Sequence, residues 1–304
     1  MKKGYVYIIL TAFIFSTMEI AGKMVVGELN SFQVTFLRFL IGAVMLFPFA
    51  IKDLKRKNLK LKKKDLLYFI FTGTICVPIS MALLQIAVEY TKEASITAVI
   101  FCTNPIFTIP FAVLLLKDKI TKQTIYSIVL CIIGILFIFN PFKMNVDVNV
   151  IKGMLIALAS AISFSLYTVV SKKKLKVYGG SVFNFFTFFI GDLVLLIFLL
   201  LKDIPIISGI TTKNIPTILY MGIIITGVGY IFYLKAIEET SPIKASTAFF
   251  IKPALAPILA LIFLKENLTI NIIAGICFII IGSIIGSRKS TKYKVQSTNK
   301  EIVP

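Results

Sequence analysis

The chain has 304 residues, of which 58% are hydrophobic, and its mean hydropathy is +0.93. This composition excludes an ordinary soluble domain, which must cover its surface with charge, and it predicts residence in a membrane. Lys and Arg number 33 against 14 Asp and Glu, and histidine is absent. Because imidazole is the usual general base and the commonest metal ligand, its absence disfavours most enzyme classes.

Apolar stretches follow one another along the chain, each about 20 residues long, which is the length that crosses a bilayer as a helix. They predict an all-α membrane protein with ten transmembrane helices. The predicted spans are 4–26, 31–51, 66–90, 93–116, 122–140, 151–171, 180–201, 215–237, 243–264 and 268–287. The first span resembles a signal peptide, but no small-residue cleavage site follows it, so we expect an uncleaved helix.

Basic residues concentrate in alternate joints between these spans. The richest clusters are the run 52–64, the lysines of 172–176 and the C-terminal tail 289–304. Positively charged joints stay on the cytoplasmic side, so the pattern predicts a multi-pass protein of the cytoplasmic membrane with both termini in the cytoplasm. The same pattern explains the net charge of +19, so binding of nucleic acid is not needed to account for it. Binding of anionic lipid by the run 52–64 remains an alternative use of its charge.

The two halves of the chain resemble each other. With a shift of 148 residues, NPIFTIPFAVLLLKDKIT from position 104 lies over KPALAPILALIFLKENLT from position 252. Pro105 then meets Pro253, and Asp118 meets Glu266. A weaker match sets LTAFIFS from position 10 against ASAISFS from position 159, at a shift of 149.

This duplication predicts five-helix repeats at 1–140 and 150–288, followed by the basic tail 289–304. Since each repeat holds an odd number of spans, the second enters the membrane from the opposite side, and the repeats are inverted. Inverted repeats are typical of carriers that work by alternating access.

Paired five-helix units, each with a proline-centred helix, an acidic residue and a helix that begins at Thr, resemble the EamA-type domains of the drug/metabolite transporter superfamily. The resemblance covers nearly the whole chain and implies transport of small metabolites or amino acids. The superfamily also includes proteins that take up sugars, nucleotide sugars and amines. Members often carry Trp-Gly in the first helix, whereas this chain has Phe15-Ser16 there, followed by Glu19.

Lys252 lies in the middle of the ninth span. A lysine at that depth costs about 2.5–3.5 kcal/mol, so it must face protein or water. Pro253 and Pro257 each remove a backbone donor, and they predict a break in the helix beside this charge. We assign Pro105 the same gating role in the fourth span.

Glu19 supplies an acid that can oppose Lys252. Each charge occurs in one repeat only, because the counterpart of Glu19 is Thr168 and that of Lys252 is Asn104. A carboxylate and an ammonium group on opposing walls suit a zwitterionic substrate. Two alternatives remain: Glu19 pairs with Lys23 on its own helix, or Lys252 serves only as a buried counter-ion.

Polar residues at helical spacing predict the lining of a central cavity. The full set of predicted substrate-binding residues is Glu19, Lys252, Asn104, Tyr230, Tyr233, Gln85 and Tyr167. Thr226 continues the stripe of Tyr230 and Tyr233. We expect Arg38 to be structural and to reach the interface by extending its side chain. The cysteines Cys76, Cys102, Cys131 and Cys277 are expected to be small core residues.

The chain has no GxxxxGK[ST] nucleotide motif, so transport energy must come from a gradient. A buried carboxyl group can carry a proton, and we assign proton coupling to Glu19, with Asp192 as second choice. The hypothesis is a secondary active transporter that exports a small amino-acid-like or other zwitterionic metabolite by alternating access. Alternatives are a flippase for lipids or lipid-linked headgroups, and an importer of an amine or sugar.

We expect no catalytic residue, cofactor or metal. The expected partners are a small-molecule substrate and the lipid bilayer, and no pattern predicts an oligomeric state. A membrane-bound transferase is disfavoured because no catalytic cluster of His, Asp or Cys lies near a span end.

Overall fold

A computed structural model describes residues 2–59, 61–117, 122–139, 147–265 and 269–287. Asp118, Glu266 and the basic tail 289–304 lie outside these ranges. Within them, seven helical stretches are long and apolar enough to cross a membrane: Lys3–Met24, Ser31–Arg56, Lys63–Thr91, Ala94–Leu116, Val148–Tyr178, Gly180–Leu201 and Ile215–Glu239. The all-α membrane fold is confirmed, whereas the count of ten spans and the inverted orientation of the repeats stay predictions.

Helices form the regular structure of the described residues, apart from an isolated bridge between Val26 and Leu29. In chain order the α-helices are α1 (Lys2–Phe15), α2 (Met18–Met24), α3 (Ser31–Arg56), α4 (Lys63–Thr74), α5 (Ala82–Thr91), α6 (Ala94–Phe101), α7 (Asn104–Leu116), α8 (Lys122–Phe139), α9 (Val148–Leu201), α10 (Ile215–Tyr220), α11 (Tyr230–Glu239), α12 (Pro242–Ser246), α13 (Ala248–Leu264) and α14 (Ile270–Ser287). Two π-helical segments, π1 (Ile75–Met81) and π2 (Met221–Gly229), join α4 to α5 and α10 to α11.

The joint predicted between the sixth and seventh spans is helical in the structure. Helix α9 continues through the lysine cluster and changes direction at Gly179, where φ is 76° and ψ is 167°. That conformation is open essentially to glycine alone, because a Cβ atom would clash with the backbone. Lysine favours helix and proline is absent from this stretch, so nothing local ends the helix before Gly179.

Helix α9 is the centre of the bundle and packs against α3, α4, α5, α7, α11 and π1. It approaches α4 closely at Gly191 and Gly73. A Cβ atom on Gly73 would lie 2.6 Å from the carbonyl oxygen of Thr187 and 2.8 Å from the amide nitrogen of Gly191. Small residues at such a crossing let two helix backbones approach directly, which is how helices associate without a hydrophobic driving force.

Hydrogen bonds tie the helices together at both ends of the bundle. At the end predicted to be cytoplasmic, the Asp65 carboxylate of α4 accepts from the Lys174 ammonium group and, at 2.6 Å, from the Tyr178 hydroxyl, both on α9. At the opposite end, Gln33 of α3 donates to the carbonyl oxygens of Ile206, at 3.0 Å, and Ser208, at 2.7 Å. The first set of bonds joins α4 to α9, and the second joins α3 to the loop that follows α9.

The cysteines do not all lie in the core. Cys76 and Cys102 are buried as expected, but Cys277 of α14 is exposed on the helix surface. The prediction for Cys277 is therefore wrong: an apolar segment places residues toward lipid as well as toward the core. The side chain of Cys131 lies outside the described residues.

Candidate functional site

A buried ion pair lies at the centre of the bundle. The Lys252 ammonium group of α13 donates to the Glu19 carboxylate of α2 over 2.5 Å, and both residues are at most 1% exposed. The ammonium group also lies over the Phe101 ring, 5.0 Å from its centroid. The second carboxylate oxygen of Glu19 has no hydrogen-bond partner among the described residues. The structure therefore brings together the acid and the base that the sequence assigned to opposing walls.

Three turns that carry a threonine interrupt the helices around this pair. Thr17 lies between α1 and α2, Thr103 between α6 and α7, and Thr247 between α12 and α13. Each threonine hydroxyl donates to the carbonyl oxygen three residues earlier, at 2.8, 2.7 and 2.6 Å respectively. The same carbonyl oxygen also accepts from the backbone amide of the threonine, at 3.2, 3.0 and 3.2 Å. The hydroxyl thus adds a second hydrogen bond inside each turn and stays satisfied itself, as the bilayer core requires. The interruptions directly precede Glu19 and Asn104 and lie five residues before Lys252.

Pro105, Pro253 and Pro257 relate to these interruptions in different ways. Pro105 lies in the first turn of α7, immediately after the turn at Thr103, where a missing amide donor costs nothing. Helix α13, in contrast, runs from Ala248 to Leu264 through both Pro253 and Pro257. The interruption in this span is at Thr247 and not at the two prolines. Their side chains lie outside the described residues, and their gating role stays a prediction.

An aromatic cluster extends from the Phe101 ring, which the Lys252 ammonium group faces. Phe249 of α13 contacts Phe101, with ring centroids 5.6 Å apart, and Phe164 of α9, at 5.5 Å. The Tyr230 ring of α11 contacts Phe15 of α1 at 5.2 Å. Tyr233 joins the same cluster through Phe164, at 5.6 Å. The cluster therefore forms an apolar wall on the Phe101 side of the ion pair.

Two of the predicted lining residues hold helices in place. Gln85 of α5 donates through its side-chain nitrogen to the carbonyl oxygen of Gly22, at 3.0 Å, one turn after Glu19. The Tyr233 hydroxyl shares a hydrogen bond with the Thr168 hydroxyl, at 2.8 Å. Gln85 and Tyr233 correspond under the shift of 148 residues. Each therefore bonds to the helix that occupies the first position of its own repeat.

Asn104 of α7 and Tyr167 of α9 are two further predicted lining residues, and they differ in their hydrogen bonding. The Asn104 side chain donates to the carbonyl oxygen of Ala161 of α9, at 3.3 Å, and accepts from the Thr108 hydroxyl, also at 3.3 Å. Tyr167 is completely buried, and its hydroxyl has no hydrogen-bond partner among the described residues. Asn104 thus serves packing in this structure, whereas Tyr167 keeps an unused hydrogen-bonding group.

Arg38 and Asp192 form a second buried set of charges. Arg38 of α3 is 0% exposed, so the expectation that it reaches the interface is wrong. Its guanidinium lies 4.7 Å from the centroid of the Phe39 ring. Asp192 of α9 is 2% exposed and interacts electrostatically with Arg38 without contacting it. None of the three guanidinium nitrogens and neither Asp192 oxygen has a hydrogen-bond partner among the described residues.

Sequence reasoning missed the residues that shape the site without carrying charge. Phe101 was not singled out, although aromatic residues are frequent partners of buried cations. The hydroxyl turns at Thr17, Thr103 and Thr247 were also missed. The sequence does contain a pattern that could have predicted them, because each threonine precedes a polar residue by at most five positions in the middle of an apolar span.

Residues 2–140 and 151–288 each match the model of the EamA-like transporter family. The chain belongs to this family. The resemblance stated from the sequence is thereby confirmed, and the chain is a multi-pass membrane protein of a transporter family.

Relatives of this EamA-like transporter extend over its whole length. A Clostridium kluyveri protein named "Uncharacterized transporter" is 52% identical over 297 residues, which cover 96% of this chain and 95% of that protein. The Bacillus subtilis protein named "Uncharacterized transporter YoaV" is 26% identical, with 97% and 100% covered. A solved structure titled "Crystal structure of protein" aligns with a TM-score of 0.70 at 13% identity, over 94% of this chain and 96% of that one. This last likeness shows the fold alone.

Proposed function

We propose that this EamA-like transporter is a secondary active carrier that moves a small zwitterionic, amino-acid-like metabolite across the cytoplasmic membrane. It works by alternating access, exports its substrate and couples transport to protons. The observation that supports this proposal is the completely buried pair of Glu19 and Lys252. Transport as the general activity is inferred from the family. The zwitterionic character of the substrate is inferred from this ion pair.

The ion pair is suited to exchanging partners with a zwitterion. Taking two charges out of water costs several kcal/mol per ion, and their mutual attraction recovers this only with good geometry. A substrate ammonium group can replace Lys252 beside Glu19, and a substrate carboxylate can replace Glu19 beside Lys252. One ion pair, between Glu19 and Lys252, is thereby replaced by two, one between Glu19 and the substrate ammonium group and one between Lys252 and the substrate carboxylate. Binding therefore separates the two residues without leaving either charge unpaired.

Proton coupling follows from the same pair. A proton on Glu19 removes the charge that holds Lys252, so protonation and substrate binding both separate the two side chains. Arg38 interacts electrostatically with Glu19 and with Asp192, so these two buried residues belong to the same group of charges. Because these four side chains carry no net charge together, gain of one proton changes the electrostatic balance of the whole site.

Enclosure of the pair supports a small solute over a lipid. Glu19 and Lys252 are at most 1% exposed, and the Phe101 ring beside Lys252 belongs to an aromatic cluster that includes Phe249 and Phe164. A flippase must admit a headgroup whose acyl chains stay in the bilayer, which requires an opening between helices. The enclosed pair fits a substrate that is taken up completely.

The substrate class is tested by ligand-induced stabilisation of the purified protein. Amino acids, amines, sugar phosphates and nucleotide sugars are added in turn, and the unfolding temperature is measured. We expect a zwitterion to raise it, because a ligand that binds only the folded state stabilises by RT ln(1 + [L]/Kd). Lys252→Asn, which introduces the residue of the other repeat, should reduce that shift, because the substrate carboxylate loses one of its cations. Stabilisation by sugar phosphates alone would contradict the zwitterion proposal.

Coupling is tested in proteoliposomes with Glu19→Gln, which keeps the shape of the side chain and removes its charge and titration. We expect transport driven by a proton gradient to stop. Exchange of substrate across the membrane should continue with lower affinity, because the amide oxygen still accepts from the substrate ammonium group but carries no charge. Gradient-driven transport at the wild-type rate in this variant would remove Glu19 from the coupling mechanism. Asp192→Asn is measured alongside, because Asp192 is the second buried acid.

A further inference from the structure

Arg38 and Asp192 are the buried charges that the central ion pair leaves unused. They differ from Glu19 and Lys252 in one respect: neither has a hydrogen-bond partner among the described residues. A buried guanidinium or carboxylate without partners is far more costly than a paired one, because its charge is removed from water without compensation. Such a pair points to a ligand that supplies the missing partners.

The two charges lie on neighbouring helices that share an aromatic contact. Phe39, next to Arg38 on α3, packs against Phe188 of α9, with ring centroids 4.8 Å apart. Phe188 lies one helical turn before Asp192. Tyr230 of α11 contacts both rings, at 5.8 Å from Phe39 and 4.9 Å from Phe188. An apolar wall therefore lies beside both charged groups.

Further unsatisfied polar groups belong to the same helices. Asn184 shares the face of Phe188 and Asp192 on α9, and neither atom of its side-chain amide has a partner among the described residues. The same is true of the Thr226 hydroxyl, one turn before Tyr230. Thr226 packs against Gly42 of α3, where a Cβ atom would lie 2.7 Å from its methyl group. Gly42 follows Arg38 by one turn, so α3 and π2 approach closely beside the guanidinium.

We infer that Arg38 and Asp192 form a second acid–base site, which binds a zwitterion that has an apolar side chain. The guanidinium takes the carboxylate, which matches its fork of parallel N–H donors. Asp192 takes the ammonium group, and the side chain packs on Phe39, Phe188 and Tyr230. This inference rests on the proposed function, because it adopts the zwitterionic substrate class and adds the preference for an apolar side chain.

The second site also relates to the central ion pair. Arg38 interacts electrostatically with Glu19 as well as with Asp192. A substrate carboxylate on Arg38 therefore places a negative charge within electrostatic range of Glu19. The substrate binds at Arg38 and Asp192 while Glu19 and Lys252 remain paired, and the central pair separates in the transport step that follows.

The test compares a zwitterion with analogues that lack one charge. Leucine carries both charges, leucinamide lacks the carboxylate, and 4-methylpentanoate lacks the ammonium group. Binding of each to the purified full-length protein is measured by calorimetry, with methionine and phenylalanine as further zwitterions. We expect wild type to prefer leucine over both analogues by about tenfold to hundredfold, the usual range for a hydrogen bond to a charged group.

Each variant should remove the preference for one charged group of the ligand, either its carboxylate or its ammonium group. Arg38→Gln should bind leucine and leucinamide with similar affinity, while it still discriminates against 4-methylpentanoate. Asp192→Asn should show the reverse pattern. Arg38→Lys is the second variant if Arg38→Gln does not fold, and it should lose most of the carboxylate preference because an ammonium group lacks the guanidinium fork. Arg56→Gln and Asp53→Asn alter a pair near the end of the same α3 helix, in which Arg56 is exposed and Asp53 partly buried, and they should leave the binding of all three ligands unchanged.

Three outcomes overturn the inference. If Arg38→Gln weakens leucine and leucinamide equally, Arg38 is structural and the site does not exist. If Lys252→Asn erases the carboxylate preference and Arg38→Gln leaves it, the proposed function stands and the second site falls. If wild type binds none of leucine, methionine and phenylalanine, the inference is wrong, while the broader ligand panel still decides the proposed function.

Discussion

Single residues decide the chemistry of this protein through their burial. Glu19 and Lys252 satisfy each other in the interior, whereas Arg38 and Asp192 remain without hydrogen-bond partners among the described residues. Composition alone cannot separate these cases, because all four lie in apolar segments. What separates them is the distance between atoms on helices far apart in sequence, such as the 233 residues between Glu19 and Lys252.

Removal of Lys252 should destabilise the fold. Lys252→Met leaves the Glu19 carboxylate in the interior without its cation, and loss of one partner of a buried pair typically costs about 3–5 kcal/mol. The double variant Lys252→Met with Glu19→Gln removes both charges and should recover most of that loss. Equilibrium unfolding of both variants in detergent micelles measures the difference. Equal stability of the single and the double variant would mean that the ion pair does not couple the two helices.

At the scale of elements, the helices are interrupted where the site lies. Three threonine turns and two π-helical segments depart from the α-helical ladder, and π1 shifted by 148 residues covers 223–229, inside π2 (Met221–Gly229). Such interruptions bend helices at defined points and are frequent at functional sites. The shared position of π1 and π2 in the two halves supports the repeat that the sequence comparison predicts.

The bend in α9 depends on one glycine, and its neighbour provides a control. Gly179→Ala places a Cβ atom on a residue with φ of 76° and ψ of 167°, a conformation that costs about 1–3 kcal/mol for other residues. Gly180→Ala adds a Cβ atom 3.6 Å from Leu234, an ordinary contact. We expect the first variant to lower the unfolding temperature and the second to leave it unchanged or raise it. A larger loss for Gly180→Ala would mean that the bend does not rest on Gly179.

At the scale of the whole molecule, the distribution of charge predicts the orientation in the membrane. The basic run 52–64 and the cluster 172–176 lie toward one end of the bundle, where Asp65 of α4 pairs with Lys174 of α9. Lys213 and Glu28 form an exposed pair at the predicted outer end. Because positively charged joints resist translocation, the end with the basic clusters should face the cytoplasm.

Labelling of single cysteines tests this orientation. In a variant without the four native cysteines, Lys213→Cys or Arg56→Cys introduces one thiol at a site whose side chain is 86% or 66% exposed. A membrane-impermeant thiol reagent added to intact cells should label Lys213→Cys only. After the membrane is permeabilised, it should label both. Labelling of Arg56→Cys in intact cells would reverse the predicted topology.

The sequence by itself determined the membrane class and the family resemblance. It also located most ends of the described spans within a few residues, but not the joint inside α9 or the turns that interrupt three spans. These features depend on composition and on local patterns about 20 residues long, which a bilayer imposes on any spanning helix. It also singled out Glu19 and Lys252, because a charge in an apolar span is costly wherever it points.

The tertiary structure decided which of these groups meet. Lys252 forms an ion pair with Glu19, and Arg38 is buried and does not reach the interface. Gln85 and Asn104 donate hydrogen bonds to backbone carbonyl oxygens. Helix α9 continues through the lysine cluster to Gly179. These outcomes depend on which faces of distant helices pack together, and helical periodicity within one span shows a face but not its neighbour.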